Sequence, residues 1–256
     1  MMKPLCKLAA PILLLLFAMS CDTTSTNSDD PEEIHYSETE NPGMSNLDFL
    51  TNETFNRLIL EIDYMPGMRP TDAAIDSLEE FLAKWLQKTE IIIQVPTEIP
   101  SGGQEEYSAD DIRDLEAEHR DTRTDVEEGT LTSYNIFVDG SYDSGNVLGI
   151  AYYNTSNAYF GETIHNVSGS PPLNPSREKV EATVLRHEYG HLLGLVNNGT
   201  EMQSSHQDSG NGRHCTEENC LMYYAVETTD FFANLFDGSI PELDAYCESD
   251  VRAAQD

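Results

Sequence analysis

The chain reads as an α+β domain: a mixed, twisted sheet that carries one long helix bearing the candidate active site, with a further helix near the C-terminus. Three observations predict this. An alternating stretch, an amphipathic stretch and an apolar run follow one another between Arg57 and Val95, the order of a strand–helix–strand crossover. Two more β-compatible segments, 131–138 and 146–153, precede the next long helical pattern. Residues 175–195 then hold apolar side chains at helical spacing, with a glycine placed to stop the helix near its end.

Arg57 to Tyr64 (RLILEIDY) alternates apolar and polar side chains until Pro66-Gly67 breaks it, which predicts a strand and a turn. From Asp72 to Lys88, the residues Ala74, Ile75, Leu78, Phe81, Leu82, Trp85 and Leu86 share one helical face. Ile91-Ile92-Ile93-Gln94-Val95 reads as a buried strand ended by Pro96, joined to the first by a right-handed parallel crossover. Residues 98–128 are acid-rich, with a short helix at 109–119 whose His119 falls on the solvated face. Leu131–Val138 is a third strand, and Asn146–Tyr153 a fourth, which Gly145 and Gly149 mark as an edge. The long helix, Pro175–Leu195, takes Ser176 as its cap and Val180, Val184, Leu185, Leu192 and Leu195 as its buried stripe. Pro241–Ala253 is the last helix.

Ahead of this domain, residues 1–20 carry Lys3 and Lys7, then an apolar run from Leu8 to Met19. That is the layout of an export signal, and the run is short of the ~20 apolar residues that span a bilayer. With Ala18, Ser20 and Cys21 in sequence, the segment resembles a bacterial lipoprotein signal. The resemblance implies lipidation of Cys21 as the first mature residue, although an aliphatic side chain is usual where Ala18 stands. Residues 21–46 are Ser, Thr, Asn, Asp and Glu with few apolar positions, too little to order a backbone by burial. The organisation is thus a signal at 1–20, an acidic flexible tether at 21–46 and one domain at 47–256. The expected location is the bacterial cell envelope, lipid-anchored at the outer membrane or cell surface, or the secreted fraction.

Net charge is −32, and removal of residues 1–20 takes away two lysines and no acid, leaving −34. Nucleic acid and anionic membrane surfaces are poor partners for such a chain, so membrane contact is expected through the N-terminal lipid alone. No acidic stretch has the regular spacing of a calcium loop. Of the five cysteines, Cys6 leaves with the signal and Cys21 is the lipid site. Cys215 and Cys220 are near enough in sequence to close a small loop, with Cys247 unpaired or exchanging with one of them.

The chemistry concentrates in His187-Glu188-Tyr189-Gly190-His191-Leu192-Leu193-Gly194 on the long helix. Residues four apart stand one turn above each other, so both imidazoles reach a single zinc ion at about 2.0–2.1 Å. Glu188 projects beside the metal, placed as general base toward a zinc-activated water. An ordinary amphipathic helix with two surface histidines is the bland reading, and it leaves the following features unexplained. Gly194 can take a left-handed conformation that stops the helix and reverses the chain beneath the metal.

Together with Cys220-Leu221-Met222-Tyr223-Tyr224, these residues resemble the metzincin clan of zinc peptidases. The resemblance implies a metzincin-like zincin fold, a third histidine ligand three residues after the glycine, and a methionine turn under the metal. Asn197 stands at that ligand position, and an amide is a poor zinc ligand beside imidazole. Further on, His214-Cys215-Thr216-Glu217-Glu218-Asn219-Cys220-Leu221-Met222 resembles the archaemetzincin branch, in which the third ligand directly precedes the first cysteine. This implies His214 as third ligand ahead of His206 and Asn197, an insertion spanning Asn197–Arg213, and Met222 as the methionine of the turn. Read instead as a polar loop residue, His206 is oriented by Asp208. The branch also implies a second zinc held by four cysteines. This chain lacks the downstream Cys-x-x-Cys, so a Cys215–Cys220 disulfide is expected in its place. In some metzincins a tyrosine placed like Tyr224 supports the tetrahedral intermediate; a tyrosine packed on the cleft floor would look the same in sequence.

The function expected from these features is that of an exported, lipid-anchored zinc endopeptidase acting on protein or peptide substrates, with the edge strand around Leu148–Tyr152 able to take substrate as an added strand. The alternative is a noncatalytic cell-surface binding lipoprotein that keeps the zincin fold. Retention of Glu188 favours the enzyme, because a structural zinc site has no need of a base. A helix with a downstream glutamate ligand, which another zinc peptidase clan would need, is missing from the sequence. Clustered histidines or cysteines outside the helix, which would mark a metal-scavenging lipoprotein, are not found either.

Overall fold

The computed structural model describes residues 35–169, 175–228 and 239–256. The signal, Cys21 and the tether up to residue 34 lie outside the described residues. In chain order the principal elements are α1 (Asn46–Leu50), β1 (Arg57–Tyr64), α2 (Asp72–Trp85), β2 (Glu90–Ile93), the short β3 (Thr97–Glu98) and β4 (Glu106–Tyr107), and α3 (Ala109–His119). They continue with β5 (Thr130–Val138), β6 (Ser141–Tyr142), β7 (Gly149–Tyr153), β8 (Ser156–Phe160), α4 (Gly161–Val167), α5 (Arg177–Leu192) and α6 (Ala245–Ala254). Among the described residues no helix is long and apolar enough to cross a membrane.

The main sheet runs in the order β2-β1-β5-β8-β7, with β3 also pairing β1. β2, β1, β5 and β8 are parallel, and β7 alone is antiparallel, at the edge. The mixed sheet and the crossover through α2 are as the sequence predicts. Strand alternation sorts side chains onto two faces. Leu58, Leu60, Ile62, Leu131 and Phe137 belong to the larger core that includes residues of α2 and α5. Tyr134, Ile136, Val138, Ala158 and Phe160 meet Ile112 of α3 on the other face. β5 is buried along its whole length, yet reads TLTSYNIFV. Its polar positions are used: Ser133 Oγ and the Tyr189 hydroxyl of α5 stand 2.8 Å apart, and Asn135 Nδ2 donates to the same hydroxyl at 3.0 Å. The helix bearing the motif is thereby docked on the sheet at a fixed height.

α5 is buried nearly all round rather than along a stripe. Its first half is tied to α2 by Glu181, 1 % exposed, which accepts from Thr71 N and Thr71 Oγ1 at 2.8 and 2.7 Å and pairs with Arg177 at 2.7 Å. Ser176 stands at the cap position but makes no side-chain capping bond, whereas Ser108 and Asp111 form a full capping box on α3.

Several expectations need correction. β2 is an edge strand and not a buried one, with Ile92 37 % and Val95 85 % exposed, because among the described residues no strand pairs with its outer side. The 146–153 segment forms a strand only from Gly149, and β8 with α4 follows it unannounced. The folded unit also begins before residue 47. From His35 on the chain is described and packed: Tyr36 donates to Asp48 at 2.8 Å, Glu38 is buried against Arg120 at 2.9 Å, and Asn154 Oδ1 accepts from Glu40 N at 3.0 Å. Polar residues order this stretch because their partners are buried polar groups of the domain.

Asp63, 3 % exposed on β1, accepts from the Tyr134 hydroxyl at 3.0 Å. Burial pushes its carboxyl from the ordinary 3.8 to about 6, the Tyr134 bond opposing and nearby Glu61 adding to the rise. A raised acid pKa means the folded chain keeps this proton more tightly than the unfolded one. Stability is therefore lost as pH rises from about 4 to 6, by at most about 3 kcal/mol. Asp63→Asn keeps an acceptor for Tyr134 and stays neutral. Its melting temperature should exceed wild type at pH 8 and match it at pH 3.5; equal melting at both values would sink the assignment.

Candidate metal centre and active site

Three histidines converge at the C-terminal half of α5. The ring centres of His187, His191 and His214 lie 4.9, 5.0 and 5.3 Å apart, close to an equilateral triangle. One ring nitrogen from each falls within 4.8 Å of the others, and His187 Nε2 faces His191 Nε2 at 3.2 Å. The opposite nitrogens are fixed by main chain: His187 Nδ1 donates to Leu221 O at 2.7 Å and His214 Nδ1 to Asn211 O at 2.6 Å. Each bond sets the tautomer that leaves the Nε2 lone pair aimed inward, the arrangement of metal-ligating imidazoles. Neutral nitrogens facing one another at this range repel unless a cation or a proton stands between them, so the donor set fits zinc.

Gly190 and Gly194 explain how the chain passes beneath this triangle. A Cβ at Gly190 would lie 2.2 Å from Met222 Sδ, so only glycine lets the fully buried Met222 rise against the helix between the two histidine turns. Gly194 has φ +72° and no room for a Cβ, which would stand 2.7 Å from Thr200 N. Val196 and Asn197 follow with φ of 56° and 59°. A β-branched residue in this region is rare and costs about 1–3 kcal/mol, so the surrounding contacts hold the reversal in place. Asn197 is exposed and its amide donates to Gln207 Oε1 at 3.3 Å. Of the three candidates for third ligand, the structure brings only His214 to His187 and His191.

Glu188 is 1 % exposed and lines a cleft of about 310 Å³ together with His191, His214, Ile150 and Ala151. Its side chain lies against Gly149, where an added Cβ would approach Glu188 Cγ and Oε1 at 3.0 Å. Gly149 thus carries a spatial role that its sequence position, a strand boundary, did not disclose. Asn41 and Pro42 form another wall of the cleft, so a part of the expected tether belongs to the site. Tyr224 opens a 3-10 turn directly after Met222 and Tyr223, its ring 4.7 Å from that of Tyr223.

The Cys215–Cys220 disulfide is not formed, and Cys215, Cys220 and Cys247 are all free buried thiols. Cys220 Sγ lies 3.6 Å from Cys247 Sγ, and Cys215 Sγ lies 3.3 Å from Nδ1 of His206. The last helix, α6, thus brings Cys247 beside Cys220, and the pair adjacent in sequence is not the pair it favours. His206 is 2 % exposed and is held by Asp250 at 2.8 Å, not by Asp208. Burial lowers the His206 pKa, but hydrogen bonds to Cys215 and Asp250 more than offset it and the net shift is upward.

No family model matches the chain, and no curated protein matches it in sequence. Solved structures do. The crystal structure of archaemetzincin from Methanopyrus kandleri matches with a TM-score of 0.50 at 15 % identity, over 79 % of this chain and 96 % of that one. Metalloproteinase-II from Bacteroides fragilis matches at 17 % identity with a TM-score of 0.42, over 79 % of this chain and 54 % of that one. The fold, a mixed α+β domain with a twisted sheet, is similar to that of archaemetzincin.

Proposed function

We propose that this chain is an exported, lipid-anchored zinc endopeptidase that cleaves extended peptide segments. The observation that carries the reading is the convergence of three imidazole nitrogens, two of them on rings fixed by main chain, with the Glu188 carboxylate of α5 lining the same cleft. When bound, zinc would lower the pKa of a water toward about 7 and polarise the scissile carbonyl. His187, His191 and His214 would hold it; three neutral ligands leave its charge undiminished and one position open.

The rest falls to the chain itself. Among the described residues β7 pairs with β8 on one side only, and its Ile150 and Ala151 line the cleft. An extended substrate can add there as a strand, its backbone groups satisfied by the β7 edge. Glu188, close to the Cα of Gly149, then sits beside the bound peptide, where it takes the proton of the attacking water and returns it to the leaving amine. Tyr224, on the turn after Met222, would serve as a supporting donor for the oxyanion. Cys21 supplies the lipid anchor. The test is hydrolysis of an unfolded protein by the purified full-length chain. Activity should vanish with a zinc chelator and return with added zinc, whereas zinc binding without hydrolysis of any unfolded substrate would favour the noncatalytic binding protein.

A further inference from the structure

We propose that Arg213 selects the substrate: its guanidinium takes a carboxylate of the peptide lying in the cleft, so that the chain prefers segments with a negative charge beside the scissile bond. The inference rests on the peptidase reading for the scissile bond alone; the binding preference does not need it.

The distribution of charge carries it. The chain has 46 acidic side chains against 14 lysines and arginines, so each cation has ample opportunity to find a carboxylate. Eight of the nine arginines do, at 3.6 Å or less. Arg213 is the ninth. It is exposed, and among the described residues it makes no ion pair and no hydrogen bond. No other lysine or arginine lines the cleft that holds Glu188, His191 and His214.

The loop ahead of Arg213 fixes where it stands. Gln207 Nε2 donates to Gly212 O at 2.7 Å, and Gly212 turns the chain with φ +77°. Asp208, the acid of the same loop, accepts from Gly210 N at 3.1 Å and Asn211 Nδ2 at 2.7 Å, so its oxygens serve the loop and not Arg213. Asn211 O then anchors the His214 ring at 2.6 Å, one residue beyond. The backbone of Arg213 is thereby held beside the three-histidine centre while its side chain remains available to a ligand.

A guanidinium fork matches the two oxygens of a carboxylate, a geometry that a lysine ammonium does not reproduce. Of the other lining side chains, Pro42, Ile150 and Ala151 are apolar, and Glu188 repels an acid. The net charge of −32 repels it at longer range as well. A local cation is what offsets that field inside the cleft. The carboxylate can be an acidic side chain or the C-terminus of a short peptide, and the two are separable by blocking the terminus.

The probes are short peptides blocked at both ends, with Glu or Gln scanned along them, and the Gln series with a free C-terminal carboxylate. The full-length chain is used as wild type for hydrolysis and as Glu188→Gln for binding, so the preference is read with or without turnover. Wild type should favour Glu over Gln at one position by at least about fivefold in kcat/KM, and Glu188→Gln should favour it in Kd. Added salt should reduce the ratio. In either background Arg213→Gln should bring the ratio to about one, Arg213→Glu should invert it, and Arg213→Lys should keep part of it. A preference for the free terminus over internal Glu would support the same site with the chain end as its ligand. Zinc content is read alongside, because Arg213 adjoins His214; should every variant lose zinc, the wild-type comparison decides alone. Equal treatment of carboxylate and amide peptides by wild type in both readouts would overturn the proposal. So would a preference that survives Arg213→Gln at full zinc content. Binding preference without hydrolysis would sink the peptidase reading and leave this one standing.

Discussion

Glu188→Gln is expected to lower kcat for peptide hydrolysis by about 10²–10⁴-fold, the usual worth of a general base, with zinc content unchanged. The substitution is nearly isosteric. That matters because the Glu188 side chain is 1 % exposed and already lies at 3.0 Å from an ideal Cβ on Gly149, so a change of shape would move β7 as well as remove a base. Two of the histidine rings have main-chain anchors of their own: His187 is held by Leu221 O and His214 by Asn211 O. Loss of rate without loss of metal or of KM would therefore isolate the base. His191→Ala is the contrasting variant, in which zinc and activity should fall together. A Glu188→Gln chain that hydrolyses at the wild-type rate would end the mechanism proposed above.

The metal-ligating spacing of the site was legible because it is local. His187, Glu188 and His191 belong to one helix, and periodicity alone puts two imidazoles on one face. His214 was reachable only through resemblance, since nothing in a loop sequence states which of two histidines returns to a helix some twenty residues earlier. The deciding contacts, Asn211 O on His214 and Asp250 on His206, span three and forty-four residues, and the second is invisible to any local pattern. The cysteines were misassigned for the same reason. Cys215 and Cys220 are neighbours in sequence, but α6 returns Cys247 to within 3.6 Å of Cys220, and sequence proximity favoured a pair that space does not.

The fold follows the same division. β1, α2, α3 and β5 came within a few residues of their observed bounds, because alternation, amphipathic spacing and an acid-capped start are strong local signals. β8 (SNAYF) was missed because its polar residues bond inside the domain: Ser156 Oγ donates to Glu116 at 2.8 Å, and Asn157 Nδ2 to Asn135 Oδ1 at 3.4 Å. Polarity there reports a buried network and not a loop. The tether expectation failed likewise at its C-terminal end, where composition predicts disorder until one knows that a buried cation awaits the acids.

That cation is Arg120, and Arg120→Ala is expected to destabilise the domain by about 3–5 kcal/mol, the usual cost of removing one partner from a buried ion pair. Its side chain is 0 % exposed and is shared between Glu116 at 2.7 Å and Glu38 at 2.9 Å, with further bonds to Thr132, Thr155 and Ser156. Alanine would leave Glu116 without its counter-charge and Glu38 with the half-exposed Arg123 alone, at 3.0 Å, both carboxylates being under a tenth exposed. At about 2–4 °C per kcal/mol for a domain of this size, the melting temperature should fall by roughly 6–20 °C. Removal of residues 21–46 should do related damage from the other side, because Glu38 leaves and Arg120 keeps only Glu116. Since both changes break the same Glu38–Arg120 contact, their combined cost should be smaller than the sum of the two, and additive costs would show that the early segment is held by something else. The pH dependence adds a check. Burial raises the Glu38 pKa, but Arg120 and the Thr124 backbone outweigh it and hold the carboxyl below its ordinary 4.5. A depressed acid pKa contributes stability that is complete above the ordinary value and drains as pH falls through the folded one. Wild type should thus lose stability on acidification below about pH 4.5 more steeply than the truncated chain, which has no Glu38 to protonate.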